Sequence, residues 1–383
     1  MPESGSVGSH RGRCTASRCA GLLSNGGSSY GTEYTREQIN EALASDDPLS
    51  LVPTQDTIGH GTFLAGLSAG SSIPQEDFTG AAPEAELAVV KLKPAKKYLR
   101  DFYLIPSDAP AFQENDIMMG IKYLRMMADR LKKPLVILLA MGSNSGSHIG
   151  TSPLSQVTQN YSGFFGIITV IACGNETGAA HHFYASIPAG TEYEDVEIRV
   201  GKEEAERGFV LELWAADADT YTVGFISPSG ERISRIPIIA NNETSIPFLL
   251  DATTITVNYQ LIEAESGSQL IFMRFQTPAA GIWTVRVYNT QRFKGTFHMW
   301  LPVQGMISEE TVFLRPDPYS TITVPGNSRL PITVGAYDTS TGGIYIHSSR
   351  GFTPNQIVKP ELAAPGVNIL GPSVGRKQEV IRP

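Results

Sequence analysis

The sequence predicts an α/β layer protein with a mostly parallel sheet, interrupted by an inserted antiparallel β-sandwich. Three observations carry this. Short, nearly continuous apolar runs at 87–92, 135–141 and 167–173 alternate with helical spacing, as expected of parallel strands covered by helices. From about 192 to 305 the helical period gives way to β-branched and aromatic alternation punctuated by Pro and Gly. Beyond that stretch, short strands and loops return and read as the first domain resumed.

Residues 1–27 are Ser/Gly/Arg-rich without a helical or strand period and read as a disordered or foreign leader. Thr35 with Gln38 forms a capping box ahead of Ile39, Ala42 and Leu43, which predicts a short helix. Ile117, Met118, Ile121, Leu124 and Met127 make 116–131 an amphipathic helix, and 153–165 is a weaker one. In the β-rich stretch, 208–216, 220–230, 253–263, 268–277, 281–290 and 295–303 read as antiparallel strands, with no good helix among them. The predicted organisation is a leader (1–27), a layered α/β domain in two pieces (28–190 and 306–371), an insert (191–305) and an aberrant tail (372–383).

A formal net charge of −8 over 383 residues leaves no basic footprint for a polyanion, so nucleic acid is not an expected partner. No apolar run approaches the roughly 20 residues that span a bilayer, so no membrane partner is expected and the chain should be soluble. Cys14, Cys19 and Cys173 form no even disulfide framework and too small a set for zinc, and a reducing, cytoplasmic setting is compatible with them. Cys173, inside an apolar run, reads as a small buried hydrophobe. No acidic loop has calcium-ligand spacing, and no cofactor is implied.

The chemistry concentrates in a few runs. In Gly59-His60-Gly61-Thr62-Phe63-Leu64-Ala65-Gly66 a histidine opens a helix whose small residues, with Ala69, permit a close approach to a sheet. Val170-Ile171-Ala172-Cys173-Gly174-Asn175-Glu176-Thr177-Gly178 is an apolar strand ending in a carboxamide, a group that can donate to developing negative charge from a rigid base. Leu138-Leu139-Ala140-Met141-Gly142-Ser143-Asn144 offers an extended edge, and Ser348-Ser349-Arg350-Gly351 is followed by Val358-Lys359-Pro360-Glu361-Leu362-Ala363-Ala364-Pro365-Gly366-Val367.

Together these runs resemble the subtilisin-like serine proteases, the subtilases of peptidase family S8. The resemblance implies a three-layer subtilisin-like domain acting on polypeptide substrates. His60 would be the general base and Asn175 the oxyanion donor. The backbone of Ala140, Met141, Gly142 and Gly174 would hold the substrate extended. Ala140 stands where the family commonly shows serine, a change that leaves backbone pairing intact. The β-rich stretch and Tyr30-Gly31-Thr32-Glu33-Tyr34-Thr35 resemble the clostridial spore-germination group, which carries a jelly-roll insert and implies a spore-associated setting.

Two family motifs have no counterpart. No apolar strand ending in Asp-Thr-Gly or Asp-Ser-Gly precedes His60, and Asp46, Asp47 and Asp56 read as solvated turn carboxylates. After Pro365-Gly366 no Gly-Thr-Ser follows, and Ser373 lacks that context. A truncated or frame-shifted reading of a protease gene accounts for both ends. It predicts little turnover by this chain alone, and uncovered apolar faces on the strands near 87, 135 and 167, where the family's serine helix would lie. A pseudoprotease that binds a peptide without cutting it is the alternative. A third possibility makes the insert a binding module, with Trp214, Trp283 and Trp300 as a sugar platform, against which stands their use as core aromatics.

Overall fold

The computed structural model describes residues 16–20, 30–239, 242–374 and 378–381. The chain divides into two compact units, Met1–Leu92 with Gly366–Pro383, and Lys93–Pro365.

In the first unit, Thr35 caps the helix Arg36–Ala44 as the sequence predicts: its hydroxyl accepts from Gln38 N, while Gln38 Oε1 accepts from Thr35 N at 2.8 Å. The apolar run at 87–92 forms the strand Leu87–Val90, which pairs in parallel with Ala16–Ala20, itself antiparallel to Glu33–Thr35. Ala16–Ala20 falls in the stretch read as an unstructured leader. Backbone pairing needs no side-chain period, so composition hid it; the rest of 1–27 lies outside the described residues. The stretch read as an aberrant tail likewise contributes a hairpin, in which Ile369–Pro372 pairs with Gln378–Ile381.

The helix His60–Ala69 packs on that hairpin, and its small residues are needed there. A Cβ at Gly66 would lie 2.1 Å from Pro372 Cγ, and one at Gly371 would lie 2.3 Å from Phe63 Cε2. No side chain larger than hydrogen fits either position.

The second unit contains a four-stranded sheet in the order Leu362–Pro365, Ile332–Tyr337, Ile167–Ala172, Leu135–Leu139, with every neighbouring pair parallel. Helices Glu114–Leu131 and Pro153–Ser162 cover one face, where Ile121, Ile137, Leu154 and Ile167 form a core with Met118, Leu124 and Val157 against it. The opposite face is not covered as the continuous apolar runs predict. Val136, Leu138 and Ile168 on it are 66, 45 and 49 % exposed.

Two antiparallel sheets, one of five strands and one of six, enclose a second and larger core. All six strands predicted in this region are present, five of them trimmed by a few residues at their turns and the fifth in order, Gly281–Gln291, one residue longer than read. Alternate residues point inward, such as Val196, Ile198 and Val200, or Trp283, Val285 and Val287. Tyr193–Val200 escaped the sequence reading although Val196, Ile198 and Val200 alternate with Asp195, Glu197 and Arg199, because its charged outer face lacks the β-branched and aromatic enrichment that marked the other strands. Strands also lie outside the predicted 191–305 limits: His182–Ser186 pairs with Thr296–Trp300, and Val312–Phe313 pairs with Tyr193–Val200. One helical turn, Glu204–Arg207, interrupts a region read as free of helix.

The outer face of the six-stranded sheet is apolar too. There Val210, Trp214, Leu270, Phe272 and Trp300 form a small cluster against Tyr103, and Phe102 stacks on Phe272 at 5.6 Å. Trp214, Trp283 and Trp300 are 6, 0 and 2 % exposed, so the sugar-platform possibility is corrected: all three are core aromatics.

Candidate active site

His60 is the first residue of its helix and is exposed. The turn before it requires Gly59, whose φ of +93° is left-handed. What fixes the turn is Asp56, read from sequence as a solvated turn carboxylate. It accepts hydrogen bonds from Ile58 N at 2.9 Å, Gly59 N at 2.9 Å, Thr62 N at 3.0 Å and Thr62 Oγ1 at 2.7 Å. Burial pushes this carboxyl up, but the bonds from Gly59, Thr62 and Ile58 outweigh it and hold the pKa at about 2. Asp56 thus satisfies amides that the helix start leaves without an intrahelical partner, and it places His60 between two tethered residues.

Gly174 and Asn175 leave the end of the strand Ile167–Ala172, and Ala140, Met141 and Gly142 leave the end of its parallel neighbour, whose Leu139 is in register with Ile171. Both segments therefore emerge from the carboxyl edge of one sheet, where open α/β sheets place their ligand sites. Thr323 sits between them. A Cβ on Gly142 would fall 2.1 Å from Thr323 Oγ1, and one on Gly174 would fall 2.7 Å from Thr323 Cγ2. Thr323 is held by N–H donation to Cys173 O at 3.0 Å, and the next residue, Val324, exchanges both backbone bonds with Ser143. Gly142 is exposed, while Ala140 and Met141 are half-buried.

The asparagine loop is tied on both sides of an exposed residue. Gly174 has φ +101° and its carbonyl accepts from Ser349 N at 2.9 Å. Glu176 N donates to Ser349 Oγ at 3.0 Å, and Thr177 Oγ1 donates to Ser348 O at 2.8 Å. Cys173 is buried at 3 %, as expected, and burial raises its thiol pKa. Asn175 between them is exposed. An exposed amide on a fixed loop can donate to an incoming carbonyl oxygen without prior rearrangement.

Sequence reasoning quoted Glu176 and Ser349 without giving either a role, and it passed over Thr323. No spacing marks them, because each acts through a partner some 150 or more residues distant, or through a carboxylate whose donors come from separate segments. Ser373, half-buried in the hairpin turn, has its hydroxyl 3.5 Å from Val374 O. Among the described residues no group of three or more His, Cys, Asp or Glu is arranged to hold a metal, and no helix is long and apolar enough to cross a membrane.

Comparison with known proteins accords with this geometry. The CspB protease of Clostridium perfringens has a solved structure that superposes with a TM-score of 0.80 at 28 % identity, covering 92 % of this chain and 71 % of that one. No curated protein matches. Residues 29–229, which include both the histidine helix and the asparagine strand, match the family model described as the Subtilase family, peptidase S8. A histidine at a glycine-gated helix start, a carboxamide at the carboxyl end of a parallel strand and a match over more than half of the sequence lead to one assignment: the chain belongs to the subtilase family of serine endopeptidases.

Proposed function

We propose that in this subtilase His60 is the general base, Asn175 the oxyanion donor, and the backbone of Ala140, Met141, Gly142 and Gly174 the edge along which a polypeptide lies extended. The observation that supports this most is Asn175 itself, exposed in a loop whose neighbours are buried or hydrogen-bonded. An imidazole accepts the proton of an attacking hydroxyl, and the carboxamide N–H then bonds the oxygen that gains charge. The peptide pairs with backbone groups, so Ala140 in place of serine does not impair it.

The 383 residues present no serine in the expected Gly-Thr-Ser setting and no aspartate at the end of an apolar strand before His60. A base without its nucleophile gives water only weak help, so this serine endopeptidase is read as turning over little or no peptide through these 383 residues alone; the alternative reading is a pseudoprotease that binds a peptide without cutting it. The antiparallel sheets around 191–305 are read as a jelly-roll-like insert, with residues 28–190 and 306–371 as the catalytic domain. Inward alternation on both sheets supports that reading.

The test combines a fluorophosphonate probe, a chromogenic peptide and a binding titration with an extended peptide. The expected result is peptide binding, weakened by Gly142→Val, with no labelled serine. Strong labelling and rapid hydrolysis would overturn the inactivity; any turnover should then fall about a hundredfold or more in Asn175→Ala, the scale known for such a donor in subtilisin. A chain that neither binds peptide nor reacts would sink the site assignment.

A further inference from the structure

Glu176 follows Asn175 directly and is 5 % exposed. Its carboxylate accepts bonds from Asn144 Nδ2 at 3.2 Å, His181 Nδ1 at 2.9 Å and Gln304 N at 3.1 Å. Asn144 Nδ2 also donates to Leu301 O at 3.0 Å, and Asn144 and His181 are themselves 3 and 2 % exposed. A carboxylate is costly to bury unless it is fully hydrogen-bonded, and this one gathers donors from the loop after Leu135–Leu139, from the chain before His182–Ser186, and from the chain leaving Thr296–Trp300. With its own N–H held by Ser349, both the peptide unit joining Asn175 to Glu176 and the Glu176 side chain are pinned from separate directions. The backbone of Asn175 is flanked by that peptide unit on one side and by the left-handed turn at Gly174 on the other.

We propose that Glu176 is a positioning residue for Asn175, and that through it the segment Leu301–Gln304, which leaves the six-stranded antiparallel sheet, fixes the direction of the asparagine amide. This rests on the reading of Asn175 as oxyanion donor. The β-rich region then takes part in building the reaction centre. Supporting donors of this kind are what keep a functional amide from drifting out of line.

The experiment uses the whole chain labelled with ¹⁵N-asparagine. The Asn175 side-chain amide signal is identified by its loss in Asn175→Asp. Glu176→Gln keeps the volume but offers one acceptor oxygen in place of two. It is expected to broaden or split the Asn175 signal and to raise amide exchange over 174–177 about tenfold, the scale of a lost charged hydrogen bond, with exchange in Leu135–Leu139 and Phe209–Ala215 unchanged. Asn144→Ser should give a smaller change of the same local kind, and combining the two should add nothing, because both act on one carboxylate. If Glu176→Gln does not fold, Asn144→Ser and His181→Gln carry the same readings. A wild-type Asn175 signal in these variants, or exchange that rises evenly along the chain, overturns the positioning role. None of these readings uses peptide binding or hydrolysis, so a chain that neither binds peptide nor reacts would refute the site assignment while leaving this result standing.

Discussion

Acidification from pH 7 to pH 5 should remove about 4 kcal/mol of stability through His148 and His298 alone, enough to threaten a fold whose total stability is about 5–15 kcal/mol. His148, His182 and Trp300, all buried, stack with the half-buried His298, with His148 4.0 Å from Trp300 and His182 Nε2 2.9 Å from His298 Nδ1. Burial pushes His148 down to about 4 from an ordinary 6.5, against the upward pull of Asn144 O and Ile322 O, each 2.9 Å from a ring nitrogen, and of Glu176. A neutral ring can donate to only one of those carbonyls, so the contacts favour the charged form, yet the loss of solvent beside Trp300 outweighs them. His298, facing His182, Trp300 and Tyr184, is lowered to about 3 by burial and by His148. His182 is shifted the same way by burial and by His298.

The sign follows from proton binding. Below 6.5 the unfolded chain protonates these rings and the native state does not, so their contribution is complete above that value and is lost as the pH falls toward about 4. At about 1.4 kcal/mol per pH unit past the ordinary value, each of the two rings costs about 2 kcal/mol at pH 5. Urea unfolding followed by tryptophan fluorescence at the two pH values measures the change. His298→Phe should reduce the pH difference by about 2 kcal/mol even if it lowers stability at pH 7. A wild-type difference below about 1 kcal/mol, or the same difference in wild type and His298→Phe, would refute the reasoning.

Asp56→Ala should destabilise the chain by about 1–2 kcal/mol at pH 7, the capping value after allowance for solvent screening at a half-buried site. Because the folded pKa is about 2 against an ordinary 3.8, the deficit relative to wild type should stay constant from pH 7 to pH 4 and shrink only below that, as double unfolding curves would register. Gly66→Ala should cost about 1–3 kcal/mol, since its Cβ would meet the Pro372 ring at 2.1 Å; a thermal midpoint equal to wild type would mean that the helix and hairpin yield freely.

Much of the fold was legible because its periods are long and regular. Thr35 and Gln38 announced a capping box that forms, and the spacing from Ile117 to Met127 announced a helix that buries Ile121 and Met127. Runs such as Leu135–Leu139 declared strands but not how many of their faces are covered: Val136 and Leu138 are as apolar as Ile137, yet exposed. Tyr193–Val200 went unread because its charged outer face lacks the β-branched and aromatic residues that marked the other strands, and Ala16–Ala20 because its pairing is a matter of backbone.

His60 and Asn175 could be singled out because each carries a short local motif, glycines around a helix start in one case and a strand ending in Gly-Asn in the other. Asp56 was visible but undervalued, since nothing in a loop sequence shows that one carboxylate will receive three backbone amides. The sequence by itself determined the family, the alternation of strand and helix, and the residue types able to act on a carbonyl, for these depend on neighbours within a turn or two along the chain. Only the tertiary structure decided that Thr323 lies between Gly142 and Gly174, that three histidines stack with Trp300, and that Glu176 draws its donors from Asn144, His181 and Gln304. Such contacts join residues far apart in sequence, and their energy depends on distance and the exclusion of water, quantities that take a value only once the chain has closed on itself.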